Sequence, residues 1–260
     1  MYLIIGGDSS IGMALAKYWT TVGIPYYAST RRKTLKNIDR PFIDLFSKDW
    51  SSLAGAHFDA VVFCAAQTKI IECELNPQNT AKVNVESTVE LAKKFSRDGS
   101  YILVLSTSKV FDGTKPRRHP SDSVCPTTEY GRQKAEAEKQ ILSLPNSAIL
   151  RLSKVIHSNL FLLTEWQKNI NQGQEIFPFK NMYLAPIFMD EVTERIDALI
   201  KFRIKGIAHL SGKEDVSYYQ FALSYFDNNL QAKALIRPGK ASLSTFPKTF
   251  FERFSSLEGV

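Results

Sequence analysis

Apolar residues cluster in short, dense runs along the first 150 positions, with little polar alternation inside them. The runs are Tyr2–Ile5, Pro25–Ser29, Pro41–Leu45, Asp59–Ala65, Tyr101–Ser106 and Ser147–Leu152, rich in Val, Ile, Leu, Tyr and Phe. Such runs read as strands buried on both faces, the environment of a parallel sheet. Between them lie segments with helical spacing of apolar residues: Ile11–Val22, Asn76–Arg97 and Glu129–Leu142. Strand and helix in alternation predict an α/β fold, a doubly wound parallel sheet with helices on both faces. After Leu152 the pattern loosens. It predicts a helix over Leu160–Gln172, short β pieces at Glu175–Phe177 and Tyr183–Ile187, and a helix over Asp190–Phe202. A strand at Gly206–Leu210 and a helix at Ser217–Phe226 complete it. The chain therefore divides into a sheet domain, residues 1–155, and a smaller mixed part, residues 156–260, interleaved with the first. The Phe-rich stretch FFERF (250–254) is expected to pack, and the last few residues to fray.

Composition narrows the class. Of 260 residues, 44% are hydrophobic and 23% charged, which excludes a disordered chain, a collagen-like repeat and a coiled coil. The longest apolar run, Ala60–Ala66, is far short of the roughly 20 residues a membrane span needs, and the N-terminus lacks the pattern of a secretory signal. Cys64, Cys73 and Cys125 form no CxxC, and the four histidines show no ligand spacing, so no metal site is expected. A cytoplasmic location is the expectation. Net charge is 33 − 26 = +7, which suits an anionic partner: nucleic acid, a phosphorylated cofactor or a nucleotide-linked substrate. A solvated surface with surplus lysine reads the same way. The basic residues are scattered and no recognition motif appears, which argues against nucleic acid.

The first chemical signal is GGDSSIG (6–12), set between the first apolar run and an amphipathic helix. Strand, glycine-rich turn and helix N-terminus together suit a dinucleotide pyrophosphate: glycine lets the backbone approach, and the helix offers unpaired N–H groups. On a GxxGxxG spacing the key positions are Gly6, Ser9 and Gly12, with serine in the middle. Ser9 either donates its hydroxyl to a phosphate or, with Ser10, simply caps the helix. Near the end of the second run, where a carboxylate would hold the ribose 2′-hydroxyl of NAD, the chain reads STRRK, with Arg31, Arg32 and Lys33. Guanidinium groups suit a 2′-phosphate, so NADP(H) is favoured over NAD(H).

The second signal is Tyr130 with Lys134, one helical turn apart. A nearby ammonium favours the phenolate, and a phenol so tuned can hand a proton to a carbonyl oxygen. Of ten tyrosines, only Tyr130 has a lysine four residues on. The strand ahead of it ends in STSKVFDG (106–113), which would place the Thr107 hydroxyl in the crevice where α/β sheets bind ligands. Strand-end hydrogen bonding is the plain alternative for Ser106–Ser108.

Four stretches, in order, carry a family resemblance: GGDSSIG, CAAQTKIIECELNP (64–77) with AKVN (81–84), STSKVFDG, and YGRQKAEAE (130–138). Later, LRLSKV (150–155) and LAPIFMDEV (184–192) are similar to further pieces of the same family. The chain resembles the extended short-chain dehydrogenase/reductases, and most nearly their dTDP-4-dehydrorhamnose reductase-like (RmlD-like) branch. The resemblance implies a Rossmann-type domain and a smaller substrate-binding part. It implies Tyr130 as proton donor, Lys134 as its tuner and nicotinamide-ribose ligand, and Thr107 as the hydroxyl that orients the substrate carbonyl. Asn84 would support the lysine through water. Gly6, Ser9, Ser10, Ile11, Gly12 and Arg31 would hold the phosphates of the cofactor. Asp44 and Leu45 would meet its adenine, Ala65 and Ala66 line its adenosine side, and Ser153 and Val155 its nicotinamide pocket. Thr68, Lys109, Val110 and Phe111 would face substrate. The substrate implied is a keto-sugar on a nucleoside diphosphate, reduced by hydride; the resemblance allows a homodimer.

Three departures stand out: Ser9 for the middle glycine, Cys64 where Asn often precedes the alanines, and Ser108-Lys109 for Asp-Tyr beside the substrate. KPRRH (115–119) is either a loop near substrate phosphates or a solvated loop. Trp166, Phe161, Phe177, Phe179 and Tyr183 either stack on a base or fill a core. Two other functions fit the scaffold: a nucleotide-sugar epimerase or dehydratase with tightly bound NAD, and a non-catalytic NAD(P)-sensing protein.

Overall fold

A computed structural model describes residues 1–53, 55–242 and 253–259. Six parallel strands form the central sheet. They are β1 (Tyr2–Ile5), β2 (Tyr26–Ala28), β3 (Ala60–Phe63), β4 (Tyr101–Thr107), β5 (Ser147–Leu152) and β9 (Gly206–Leu210), in the order β2-β1-β3-β4-β5-β9. Every neighbouring pair is parallel. The order reverses direction beside β1, so the crevice at the strands' carboxyl ends opens between β1 and β3, the place where such sheets take ligands.

Strand residues alternate between two cores, as period 2 demands. Leu3, Ile5, Val61, Phe63, Ile102, Val104 and Ile149 face one side, covered by Val89, Ala92 and Phe95 of α4 (Thr88–Arg97) and Ala137 and Ile141 of α5 (Glu129–Ile141). Ile4, Ala60, Val62, Leu103, Leu150 and Ala208 face the other, against Leu15 and Trp19 of α1 (Ser10–Thr21) and Val192, Ile196 and Leu199 of α7 (Met189–Lys201). The Trp19 indole N–H donates to Asp197 at 2.9 Å and ties α1 to α7.

The helix expected over 76–97 has more parts than its spacing suggests. A short α2 (Ile70–Leu75) precedes α3 (Pro77–Ala81), and the chain then makes a π-helical turn, Lys82–Ser87, before α4. The run Pro41–Leu45 is buried at Phe42, Ile43 and Leu45 but is not a strand. It touches the end of β2 through a single Thr30–Phe42 bridge, then bends at Asp44. Its apolar residues serve as a lid on one core, which a density of hydrophobic residues alone does not distinguish from a strand.

The remaining elements are β6 (Lys154–Ile156), α6 (Phe161–Asn171), β7 (Tyr183–Leu184), β8 (Pro186–Phe188), β10 (Val216–Ser217), α8 (Tyr218–Tyr225) and α9 (Leu230–Lys233). The β piece expected over 183–187 is split, β7 pairing antiparallel with β10 and β8 parallel with β6. Ile176 makes only a bridge to Ile236. A third core holds Leu163, Trp166, Ile170, Leu184, Phe221 and Phe226, and so the C-terminal part has its own apolar interior. Trp166 packs there on Phe221, whereas Phe161 and Phe177 are exposed.

Just ahead of the last residues, Ser255–Leu257 are pinned. Asp215 accepts from the Ser255 N–H at 2.6 Å and the Ser256 N–H at 2.9 Å, and from both hydroxyls. Leu257 is buried against Val110 and Phe111. Phe250 and Phe251 lie outside the described residues.

Candidate active site

β1 runs into its turn without a spacer. Gly6 has φ +89°, and a Cβ there would lie 2.7 Å from the Ala65 backbone nitrogen. A Cβ on Gly12 would lie 2.3 Å from the Gly6 carbonyl oxygen. Neither position admits a side chain, so the turn and the first coil of α1 sit tight against the loop after β3. The Ser29 hydroxyl accepts from the Gly6 N–H at 2.8 Å. Ser9 caps α1, its Oγ accepting from the Gly12 N–H at 3.0 Å. A hydroxyl that accepts still has its own proton to donate.

Gly6, Ser9, Arg31, Asp44, Leu45, Ala65 and Ala66 line one cleft, together with Asp8, Ser29 and Gln67. Asp44 makes its bend by accepting from the Phe46 N–H at 2.9 Å and the Ser47 hydroxyl at 2.9 Å. Gly12 is buried beneath the turn, Ile11 packs on the sheet core, and Ser10 faces a separate groove with His157 and Met189. Asp8 accepts from the Thr30 hydroxyl at 2.7 Å and from an Arg40 guanidinium nitrogen, with Arg32 at 3.5 Å. Burial pushes the Asp8 carboxyl up, but the Thr30 and Arg40 hydrogen bonds and the two guanidinium charges outweigh it and leave the pKa below its usual value.

The second half of the site forms where β4 meets α5. Thr107 ends β4 and caps a short turn, its Oγ1 accepting from the Lys109 N–H at 3.2 Å. Thr128 caps α5 by accepting from the Gly131 N–H at 3.0 Å. A Cβ on Gly131 would fall 2.1 Å from the Lys109 carbonyl oxygen. That close approach draws the helix start onto the strand end and sets Tyr130, 9% exposed, beside Thr107. Burial pushes the Tyr130 phenol well above its usual range; the charge of Cys73 adds to that, and the Thr107 hydrogen bond opposes it. The sequence pointed to a phenol acidified by Lys134. The balance differs because burial acts on both groups: it lowers Lys134 to about 8, against the pull of Glu138. At neutral pH the phenol therefore keeps its proton, the state needed to donate one.

Asn84 is buried in the π-helical turn, a distortion frequent at functional sites. Its Oδ1 accepts from the Gln67 N–H at 2.8 Å, and its Nδ2 donates to the Gln67 carbonyl at 3.0 Å and to Gln133 Oε1 at 2.8 Å. Gln133 in turn donates to Thr80 Oγ1 at 2.9 Å and Glu129 Oε1 at 2.8 Å. The cleft loop, the π turn and the Tyr130 helix are thus one polar network. Beneath it, Glu138 takes Arg151 Nη2 at 2.7 Å, with Ser106 Oγ at 2.5 Å. Sequence reading missed Asp8, Gln133, Gly131 and this buried pair. The signals were an acid inside a glycine turn, and the residues flanking Tyr130 and Lys134.

Val110 and Phe111 do not face a substrate. They are 0% and 2% exposed, and they pack on Leu257, with Arg118 and Arg151 over the Phe111 ring. Lys109 remains near the crevice and helps lower the pKa of Lys154, whose main influence is burial. Thr68 is exposed in the loop after β3. Ser153 accepts from the Gly212 N–H at 3.2 Å, and Val155 packs against the sheet core on β6. Within KPRRH, Arg118 pairs with Asp112 at 2.7 Å and Leu257 bridges to it, so that loop staples the chain end. Among the described residues no cluster of His, Cys, Asp and Glu could hold a metal, and no helix is long and apolar enough to cross a membrane.

The family model described as RmlD substrate binding domain matches residues 1–249. The chain belongs to this family. The RmlD family lies within the extended short-chain dehydrogenase/reductases, NAD(P)-dependent enzymes built on a Rossmann-type sheet. Among curated RmlD-like relatives, a dTDP-4-dehydrorhamnose reductase of Aggregatibacter actinomycetemcomitans is 29% identical over 90% of this chain and 80% of its own. A methionine adenosyltransferase 2 subunit beta of Danio rerio is 30% identical over 90% of this chain and 76% of its own. Among solved structures, dTDP-4-dehydrorhamnose reductase from Bacillus anthracis, in complex with NADP, superposes with a TM-score of 0.84 at 20% identity, covering 100% of this chain and 90% of that one.

Proposed function

We propose that this RmlD-family chain is an NADP-dependent oxidoreductase that reduces the keto group of a nucleotide-activated deoxysugar. One observation carries the reading: a buried Tyr130 set against Thr107 at the carboxyl end of β4, with Lys134 one turn along the same helix. The dinucleotide supplies hydride when bound. The turn suits such a group, because Gly6 and Gly12 leave room for nothing but backbone and the N-terminus of α1 opens onto the cleft. Gly6, Ser9, Ser10, Ile11 and Gly12 would hold its phosphates, Asp44, Leu45, Ala65 and Ala66 its adenosine, and Arg31 a 2′-phosphate. Ser153, Val155 and Lys134 would hold the nicotinamide end, and residues 156–260 the substrate.

Thr107 orients the carbonyl by hydrogen bonding, and Tyr130 gives its proton to the carbonyl oxygen as that oxygen becomes an alkoxide. Lys134, near 8, sits close enough to pH 7 to return a proton to the phenol. Asn84 holds the loop and helix that carry these groups at fixed distance. Positive charge at Lys109 and Lys154 supports an anionic substrate such as a sugar linked to a nucleoside diphosphate. The reading is supported by relatives named dTDP-4-dehydrorhamnose reductase and by the NADP in one relative's structure. The test is loss of nicotinamide absorbance from NADPH with keto-sugars on dTDP, UDP and GDP. Consumption with one of them supports the reading.

A second reading is favoured by the relatives named as a subunit of methionine adenosyltransferase, which match this chain over as great a length. On it, the chain keeps the fold and the dinucleotide site but serves another protein. NADPH binding without consumption across the panel would favour it.

A further inference from the structure

The end of β2 was the place to look for a carboxylate, and the sequence there shows arginines instead. The fold returns a carboxylate to that place from another segment. Asp8, inside the glycine-rich turn, reaches across to the residues after β2. Its Oδ2 accepts from the Thr30 hydroxyl at 2.7 Å and from the Arg31 N–H at 3.3 Å. Its Oδ1 accepts from Arg40 Nη2 and lies 3.5 Å from Arg32 Nη2. Asp8 and Arg31 line the same cleft. A hydroxyl, a backbone N–H and two guanidinium groups are the donors that a phosphate monoester takes when it docks at a strand end. Here the side chain of Asp8 takes them first.

A negative charge held among these donors acts differently on the two dinucleotides. The free 2′-hydroxyl of NADH can donate to a carboxylate. The 2′-phosphate of NADPH carries its own charge and has no donor to offer, so it must share the Arg31 N–H and the Arg32 guanidinium with Asp8. Arginine favours the phosphate and Asp8 opposes it. Arg40, further along the chain and half-buried, holds Asp8 in place and has its Nε buried without a partner among the described residues.

We infer that Asp8 is a specificity-determining residue for the cofactor, an internal anion that occupies part of the 2′-phosphate cradle and lets the chain accept NADH beside NADPH. The inference rests on the dinucleotide-binding reading of the cleft. It goes further by assigning the choice of dinucleotide to the balance between Asp8 and Arg31–Arg32 rather than to the arginines alone.

The experiment is direct binding, by calorimetry on the full purified chain, of NADPH and NADH to wild type and to Asp8→Asn. Asparagine keeps the shape and an acceptor but not the charge. Like-charge repulsion at a largely buried carboxylate, removed in the variant, is expected to raise the preference for NADPH over NADH about tenfold, chiefly by tighter NADPH binding. Asp8→Ser, with a melting curve for each variant, gives the same comparison should Asp8→Asn fold poorly. A ratio unchanged in both variants, or one moved toward NADH, overturns the inference while leaving the cleft a dinucleotide site. Wild type binding neither dinucleotide would overturn the reading of the cleft and the inference with it.

Discussion

Glu138 and Arg151 form a buried ion pair, with side chains 4% and 2% exposed and 2.7 Å between them. Arg151 Nε lies 3.1 and 3.2 Å from the two carboxylate oxygens, Ser106 donates to Oε1, and the guanidinium covers the Phe111 ring at 5.1 Å. Glu138→Leu would leave Arg151 charged in an apolar setting, with the Pro120 carbonyl at 3.4 Å and His209 as its remaining partners among the described residues. Breaking one side of such a pair costs about 3–5 kcal/mol, whereas replacing both sides by apolar residues is often neutral. For a chain of this size each kcal/mol moves the melting temperature by about 2–4 °C, so the single variant should melt roughly 6–20 °C lower. Glu138→Leu with Arg151→Met should recover most of that loss. Urea unfolding of wild type, both single variants and the double variant closes the cycle. A double variant as unstable as the worse single one would show that the site is held by shape and not by the pairing of charge. Glu138 lies one turn beyond Lys134 on α5, so the singles should also lose activity before they unfold.

Lys134 makes a second expectation, with its sign set by burial. Its folded pKa is about 8 against an ordinary 10.5. Between those values the unfolded chain keeps a proton that the folded chain has lost, so the Lys134 contribution to stability should rise with pH from 8 to 10.5, against the buried Cys64 thiol, which pulls the other way above pH 9. Lys134→Met should lack that contribution, so the difference in stability between wild type and variant should shift in favour of wild type from pH 7.5 to pH 10; an unchanged difference would refute a depressed lysine. Asp215 makes a third. Asp215→Ala leaves the Ser255 and Ser256 N–H groups without their acceptor, each worth about 1–3 kcal/mol when buried. Limited proteolysis should then cut the chain end first, and a resistant end would mean that its contacts to Ala185, Arg117, Ser211 and Arg118 hold it without Asp215.

The sheet was legible because most of its strands are short, dense apolar runs bounded by polar or turn residues, as Tyr2–Ile5, Ala60–Phe63 and Tyr101–Thr107 show. Pro41–Leu45 misled because burial of Phe42, Ile43 and Leu45 comes from covering a core edge, not from sheet pairing. Val110 and Phe111 misled for a related reason. They follow Thr107 closely, but the turn after β4 points them back into a core closed by Leu257, a partner 146 or more positions away that no local pattern reveals. The turn at 6–12 and the Tyr130–Lys134 spacing were visible as local motifs. The Asp8 contacts and the Asn84–Gln133 network join segments that only folding brings together, and the tuning of Tyr130 depends on how deeply the phenol is buried.

The most direct trial of the account is Tyr130→Phe, with NADPH binding and NADPH oxidation measured on the same preparation, using the keto-sugar nucleotide that the wild type consumes. The ring stays, and only the proton donor goes. Binding should be unchanged while oxidation falls by about 10²- to 10⁴-fold. Oxidation at the wild-type rate would contradict the assignment of the proton to this phenol.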